Sequence, residues 1–202
     1  MSFQYVIDNA TQISISKRKK VSQTVSRSGV VKATSLGGQI YEFEVTLPSG
    51  PRWSENRGAI EALEALDRTT VDTIQINKAA HAYINQYQGD LSDTSAITVS
   101  YSSGNTLTIT GGATLGSGFR FKAGDFIQLG TGGSVYNVVE DVAFDDDTIT
   151  VHRPVRESAG SYTLEVGQDV SWDVICVQLP TWSIFGYDQV SWSGSFIFAE
   201  AI

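Results

Sequence analysis

Most of this chain steps between apolar and polar side chains with a period of two. The clearest runs are "QISIS", "QIYEFEVTL", "VDTIQI", "AITVSY", "TLTIT", "DFIQLG", "VYNVVE", "TITVH", "YTLEV", "VSWDVICVQL" and "GSFIFAEA". Alternation sends successive side chains to opposite faces of a strand, and the Gly, Ser, Asn and Asp between the runs supply turns, so the pattern predicts half-buried antiparallel strands and a mainly β protein. One segment departs from it. In "PRWSENRGAIEALEALDRTT", Ile60, Leu63 and Leu66 recur at helical spacing, Ser54 stands where an N-cap belongs and Glu55 falls in the first turn. These features predict a single amphipathic helix over about 54–67, with Arg57 and Glu61, and Glu64 and Arg68, four apart on its surface. The stretch "AAHAYINQY" fits either a short helical turn or a strand.

The composition changes near residue 88. From "QGDLSDTS" to "ESAGSYTLEVGQD" the strands are short, rich in Thr and Val, and separated by glycine-bearing turns, whereas the flanks hold the helix and all the tryptophans. Short strands at this density suit a small barrel of the OB or SH3-like type. The long strands before and after it read as partners in a second sheet. The expected organisation is residues 1–88 and 169–202 as one discontinuous domain, with 89–168 inserted as the barrel.

Charge narrows the functions. A net charge of -8 over 202 residues argues against general nucleic-acid binding, whose affinity comes from Lys and Arg neutralising phosphates. The distribution is uneven: residues 1–41 carry six bases against one acid, a balance of +5, and the remainder carries -13. A chain polarised in this way is suited to dock head to tail with its own copies. Cys176 is the single cysteine, and His81 and His152 are the only histidines, which leaves no Cys/His cluster for zinc and few residues for nucleophilic catalysis. His152, at the end of "TITV", reads as a sheet-surface or core-edge residue rather than a catalyst, and His81 lies among alanines with no acid beside it in the sequence to make it one. No cofactor motif is present, because "TGGATLGSG" and "GTGGS" lack both a Walker ending and a strand-loop-helix context. The start "MSFQYVIDNATQ" does not read as a signal peptide, and no window reaches the ~20 apolar residues of a membrane span, so the expectation is a protein made in the cytoplasm without membrane insertion.

Four stretches stand out as candidate sites. The basic run with Lys17, Arg18, Lys19, Lys20 and Arg27 alternates like a β-arm; it suits a subunit interface, a nucleic-acid contact, a lipid-facing patch or a solvated edge kept from aggregating by its lysines. The stretch "PTWSIFGYDQVSW" brings Trp182, Phe185, Tyr187 and Trp192 together, either as a platform for a partner protein or a glycan, or as a loop burying its own rings. Asp145, Asp146 and Asp147 lack EF-hand spacing and fall where a hairpin needs a turn. In "FKAGDF", Lys122 to Asp125 separate two apolar runs. Gly124 can take a positive φ there and Asp125 can bond the turn backbone, which reads as the corner of a sheet rather than a phosphate or metal loop.

Taken in order, the long strands with one helix, the inserted "FKAGDFIQLG…VYNVVEDV…DTITVHRPV" and the closing "SGSFIFAEAI" resemble the distal tail proteins of long-tailed, non-contractile bacteriophages. The likeness is strongest over residues 118–155 and weaker over "RWSENRGAIEALEALDR" and the C-terminal strand. The resemblance implies a structural virion protein and no enzyme: a hexameric ring at the far end of the tail tube, joining the tube protein to the tail-tip hub. It further implies a tail-tube-like β-sandwich domain with one helix, whose sheets line the channel through which DNA passes unbound. The inserted OB-like barrel would project outward, where some members contact side fibres or a host-surface glycan. It supplies no catalytic residues and no cofactor, and no sugar-binding motif is visible in this barrel. A carbohydrate-binding β module and a tail-tube or tube-terminator protein are the alternatives.

Overall fold

The computed structural model describes residues 3–17, 21–35, 38–66, 68–112 and 117–201. The chain is mainly β, with 43% of residues in strands and 13% in helices, and includes a curled half-barrel sheet. In order it runs α1 (Gln4–Asp8), β1 (Gln12–Ser16), β2 (Val21–Val25), β3 (Val31–Ser35), β4 (Glu42–Thr46), α2 (Trp53–Ala65) and β5 (Val71–Gln75). It continues through β6 (Thr98–Tyr101), β7 (Thr106–Gly111), β8 (Phe119–Phe121), β9 (Phe126–Leu129), β10 (Val135–Asn137), β11 (Val142–Ala143), β12 (Thr148–Thr150) and β13 (Gly160–Val166). It closes with β14 (Ser171–Gln178), β15 (Thr181–Phe185), β16 (Gln189–Ser193) and β17 (Phe196–Glu200). The ambiguous stretch after β5 holds a 3-10 turn, Ala82–Ile84. The chain divides into two compact units, one made of Met1–Asp72 with Val174–Ala201 and the other of Thr73–Asp173. The second unit therefore begins ahead of the composition change at residue 88, because the last three residues of β5 and the whole of the 3-10 turn belong to it.

The first unit is built on a sheet of order β1-β4-β17-β14-β5. The period-two pattern sorts its faces as the sequence predicts. Phe43 and Val45 of β4, Phe196 and Phe198 of β17, and Val174 and Cys176 of β14 are buried, while Glu42 and Glu44 face out. Cross-strand pairing lines these residues up: Phe43 sits opposite both Ile15 and Phe198, and Glu44 opposite Ser14 and Ile197. Glu200 ties the end of β17 to the start of β4. Its backbone N–H donates to Tyr41 O at 2.9 Å and its carboxylate accepts from Tyr41 N at 3.1 Å.

The N-terminal helix α1 is an element the alternating pattern does not predict. At five residues it is too short to show a period. Phe3, Val6 and Ile7 nonetheless stand at the spacing of one helical face, and all three are buried. Phe3 lies against Phe198 with ring centroids 5.0 Å apart, and its N–H donates to the Asp72 carboxylate at 2.6 Å. The second helix matches its predicted segment and buries Ala59, Ile60 and Leu63.

The second unit holds a sheet of order β10-β9-β13-β6-β7-β12 and the small pair β11-β8. Its core gathers Ile97, Val99, Leu107, Phe121, Ile127, Tyr136, Val142, Ile149, Val151 and Leu164, all at most 1% exposed. Strand β9 is buried along its whole length, including the polar Gln128, whose amide is satisfied by Gly133 O at 2.7 Å and by Ser171 O and N at 3.0 Å. A buried amide is tolerated in such a strand only because each of its polar atoms has a partner.

Candidate interaction surfaces

The segment read from the sequence as an aromatic loop is a hairpin. Strands β15 and β16 pair with Trp182 opposite Trp192, Ile184 opposite Val190 and Phe185 opposite Gln189, around a turn in which Gly186 and Asp188 take φ of 57° and 61°. The sequence disguises it because the aromatic residues and the Gly-Tyr-Asp turn mask a short alternation. The four rings then separate into two classes. Trp182 stacks on Trp53 of α2 at 4.6 Å and donates its indole N–H to Glu64 at 2.7 Å. Trp192 packs on Phe196 at 5.1 Å. Phe185 and Tyr187 occupy the exposed tip, Tyr187 completely so. The tryptophans thus fasten the hairpin to its own unit, and the tip carries the free apolar surface.

The same hairpin caps α2. Sequence spacing assigns the N-cap to Ser54, but the helix starts at Trp53, which puts the cap position two residues earlier, at Arg52, with no side-chain bond from it. Asp188 supplies the missing acceptor from a distant strand turn: its carboxylate accepts from Ser54 N at 2.9 Å and from the Ser54 hydroxyl. A carboxylate at this end also complements the helix dipole. Its hydrogen bonds from the Ser54 hydroxyl and then the Ser54 N–H hold the Asp188 carboxyl below the usual carboxylate range. A depressed folded-state value means that the stabilisation is complete above the unfolded value of about 3.9 and disappears as pH falls through the folded one. Asn tolerates the left-handed backbone, so Asp188→Asn isolates the charge. Thermal melts of wild type and Asp188→Asn are expected to differ at pH 7, with the wild type more stable, and to converge as pH falls below about 4.

The basic run enters β2 and β3, which form a two-stranded sheet of their own. Arg18, Lys19 and Lys20 lie outside the described residues; Lys17 precedes them and Arg27 sits in the turn. Val25 pairs with Val31 and Gln23 with Ala33, placing these four on one face, while Ser22, Thr24, Lys32 and Thr34 share the other. Every side chain from Ser22 to Thr34 is exposed. Gly29, at φ 79°, closes the turn, with its N–H donating to Ser26 O at 2.9 Å. The arm reading from sequence accounts for this geometry, and the arm carries an apolar stripe that the charge pattern concealed.

The chain matches no protein-family model and no curated protein. Its function is therefore argued from these surfaces and from the architecture that carries them.

In the second unit, the Lys122–Asp125 turn is a corner. Gly124 takes φ 103°, and the buried Asp125 carboxylate accepts from Lys122 N at 2.8 Å and from Gln88 N at 2.9 Å. Asp141 holds the intervening Ala123 N at 2.9 Å, and Lys122 lies over the Phe119 ring at 5.6 Å. The acidic triplet is likewise a turn: Asp146 accepts from Thr148 N at 2.9 Å, and Asp147 pairs with Arg120 at 2.7 Å. His152 accepts from Asn137 N through Nδ1 at 3.0 Å, a sheet-supporting role, and His81 is buried beside the 3-10 turn. Among the described residues no group of three His, Cys, Asp or Glu is placed to hold a metal, and no helix is long and apolar enough to cross a membrane. The first unit also contains a cavity of about 250 Å³ lined by Tyr5, Asn9, Leu47, Pro48, Pro51, Asn56, Ile60 and Trp192. Inside it, Tyr5 donates its hydroxyl to Asn56, and burial raises its pKa.

Proposed function

We propose that this chain is a structural virion protein of a long-tailed, non-contractile bacteriophage: a distal tail protein that forms a ring, hexameric in the family it resembles, at the end of the tail tube. The observation that carries the reading is the interrupted layout. A five-stranded sheet is closed by strands from the far end of the chain, and a separately cored β unit, Thr73–Asp173, is spliced into it. On this reading the first unit is the tail-tube-like sandwich and the second the OB-like barrel. The outer face of the sheet supports the channel assignment, because Glu42 and Glu44 project from it and β1, β4 and β17 contain no lysine or arginine. A surface of that charge repels a polyanion and lets DNA pass unheld. The partners are then other copies, the tube protein and the tail-tip hub, and the location is the virion tail tip after assembly in the host cytoplasm.

Antibody labelling of virions viewed by negative stain tests this directly. Label at the tail tip is the expected result; label confined to the capsid or spread along the tube shaft refutes it. A second reading, glycan binding, is favoured by one feature, the cavity that places Trp192 and Tyr5 beside Asn9 and Asn56. A glycan array settles that reading: it requires a hit that disappears with Trp192→Ala.

A further inference from the structure

The cavity of the first unit has a chemistry that the tail reading leaves unused. Its floor is Leu47 and Ile60, 6% and 2% exposed, and it opens to solvent beside the exposed Asn9 and Pro48. None of the residues that line it is charged. Bonds within the unit fix its shape. Gly50 N donates to Val190 O and Val190 N to Pro51 O, both at 2.9 Å, which joins the loop between β4 and α2 to β16. Tyr5 donates its hydroxyl to Asn56, Asn56 Nδ2 donates to Arg52 O at 2.8 Å, and Asn9 Nδ2 donates to Tyr5 O at 2.8 Å. A site braced in this way is largely pre-formed, so a ligand pays little to order it.

What those bonds leave over defines the ligand. The amides and the phenol are spent chiefly on the chain itself. Among the described residues, Trp192 packs on Phe196 but finds no acceptor for its indole N–H, and Asn9 keeps its Oδ1 free. Pro48 and Pro51 have no N–H to offer. A pyranose presents several hydroxyls, each both donor and acceptor, and this wall meets too few of them; every one buried unmatched weakens binding. A prolyl residue asks for less. Its ring is apolar, it has no N–H in need of an acceptor, and the adjoining carbonyl is matched by a single donor such as an indole N–H. Proline-rich segments in the polyproline II form dock on aromatic surfaces in this manner, with little conformational freedom to lose. The volume of about 250 Å³ lies below the roughly 300–1,000 Å³ of sites for drug-sized molecules, so the cavity has room for one ring of a longer chain.

We infer that this cavity is a docking site for a proline-bearing, extended segment of a partner protein, with a prolyl ring held against Tyr5 and Trp192 and the Trp192 indole N–H donated to a carbonyl of the segment. The segment belongs to another protein rather than to a second copy. Pro48 and Pro51 are part of the wall, and Pro180 is buried. Pro154, the remaining proline, sits between Arg153 and Val155, which are 2% and 7% exposed and so cannot leave their own unit to enter a neighbour. The inference uses none of the ring geometry and stands apart from the tail reading.

Titration of the isotope-labelled full chain with decaproline, followed through the indole N–H signals of its four tryptophans, tests the inference. Trp192→Phe keeps a ring against Phe196 and deletes one indole signal, which identifies that signal in the wild type. Millimolar decaproline is expected to shift it, and a Gly-Ser peptide of equal length is expected to leave it in place. Trp192→Phe is expected to weaken decaproline binding about two- to tenfold, the worth of one neutral hydrogen bond, and Trp192→Ala to weaken it further. Tyr187→Ala alters a fully exposed ring on the same hairpin but outside the cavity, and is expected to leave the affinity unchanged. Melting curves establish that each variant folds, and Trp192→Phe carries the test by itself if Trp192→Ala does not. An unmoved Trp192 signal, an equal response to the Gly-Ser peptide, or equal losses from Trp192→Phe and Tyr187→Ala overturns the inference. A glycan whose binding disappears with Trp192→Ala, with decaproline inert, overturns it in favour of the glycan reading. Virion labelling decides the tail reading independently of all these outcomes.

Discussion

Asp125→Ala is expected to lower the melting temperature of the protein sharply, through the central unit. The Asp125 carboxylate is 3% exposed and is the acceptor for two backbone donors, Lys122 N and Gln88 N, which belong to separate segments. Alanine leaves both N–H groups without that acceptor, at about 1–3 kcal/mol for each buried donor left unsatisfied. For a unit of this size, each kcal/mol corresponds to roughly 4–8 °C in Tm. Asp125→Asn keeps one acceptor oxygen and is expected to fall between alanine and wild type. Burial pushes the Asp125 carboxyl above its ordinary value, against the opposing pull of those two N–H bonds. A raised acid holds its proton more tightly in the folded state, so its contribution to stability declines as pH rises through the interval above about 3.9. Acidification is therefore expected to spare this site while it erodes the Asp188 cap. Calorimetric scans of both Asn variants between pH 3 and pH 7 measure the contrast; equal acid sensitivity at the two sites would contradict the opposite signs of the two shifts.

Gly112→Ala is expected to be the most damaging of the glycine substitutions in the same unit. Gly112 has φ 81°, and a Cβ there would stand 1.8 Å from Ala96 O and 2.3 Å from Ala96 C. The obstruction is backbone, which cannot swing aside as a side chain does. It follows directly on β7, whose Gly111 pairs with Thr98 beside the register shift at Thr98 and Val99. Gly104 and Gly124 provide the comparison, since they have φ of 84° and 103° and open space where a Cβ would go. At those two positions alanine meets only the left-handed backbone penalty, on the order of 1 kcal/mol. Gly112→Ala adds displacement of the β6 approach, for a total of at least about 3 kcal/mol. Urea denaturation of the three variants compares them on one scale, and equal midpoints would show that the close approach at Ala96 carries no cost.

Period-two alternation places the long strands, and helical spacing places α2, because each rests on which side chains a single element buries. The KAGD corner is legible for a similar reason: a glycine free to take positive φ and an aspartate able to bond the turn lie adjacent in the chain. The charge imbalance of residues 1–41 is also plain in the sequence, and it points to the arm. What a local pattern cannot carry is any choice made between distant segments. The cap of α2 belongs to Asp188 rather than to Ser54, because a strand turn more than a hundred residues away brings a carboxylate to the helix start. Trp182 and Trp192 become fasteners, and Phe185 and Tyr187 a free tip, only when α2 and β17 take up one pair of rings. Helix α1 is legible in retrospect from Phe3, Val6 and Ile7, yet what holds it is Phe198 at the other end of the chain. Propensity and periodicity act over a few residues, so the order of amino acids is enough to say which stretches extend, where α2 lies and where charge accumulates. Burial is set by neighbours that folding brings from elsewhere in the chain, so which aromatic rings are covered, and which surfaces are left for a partner, is a property of the folded molecule alone.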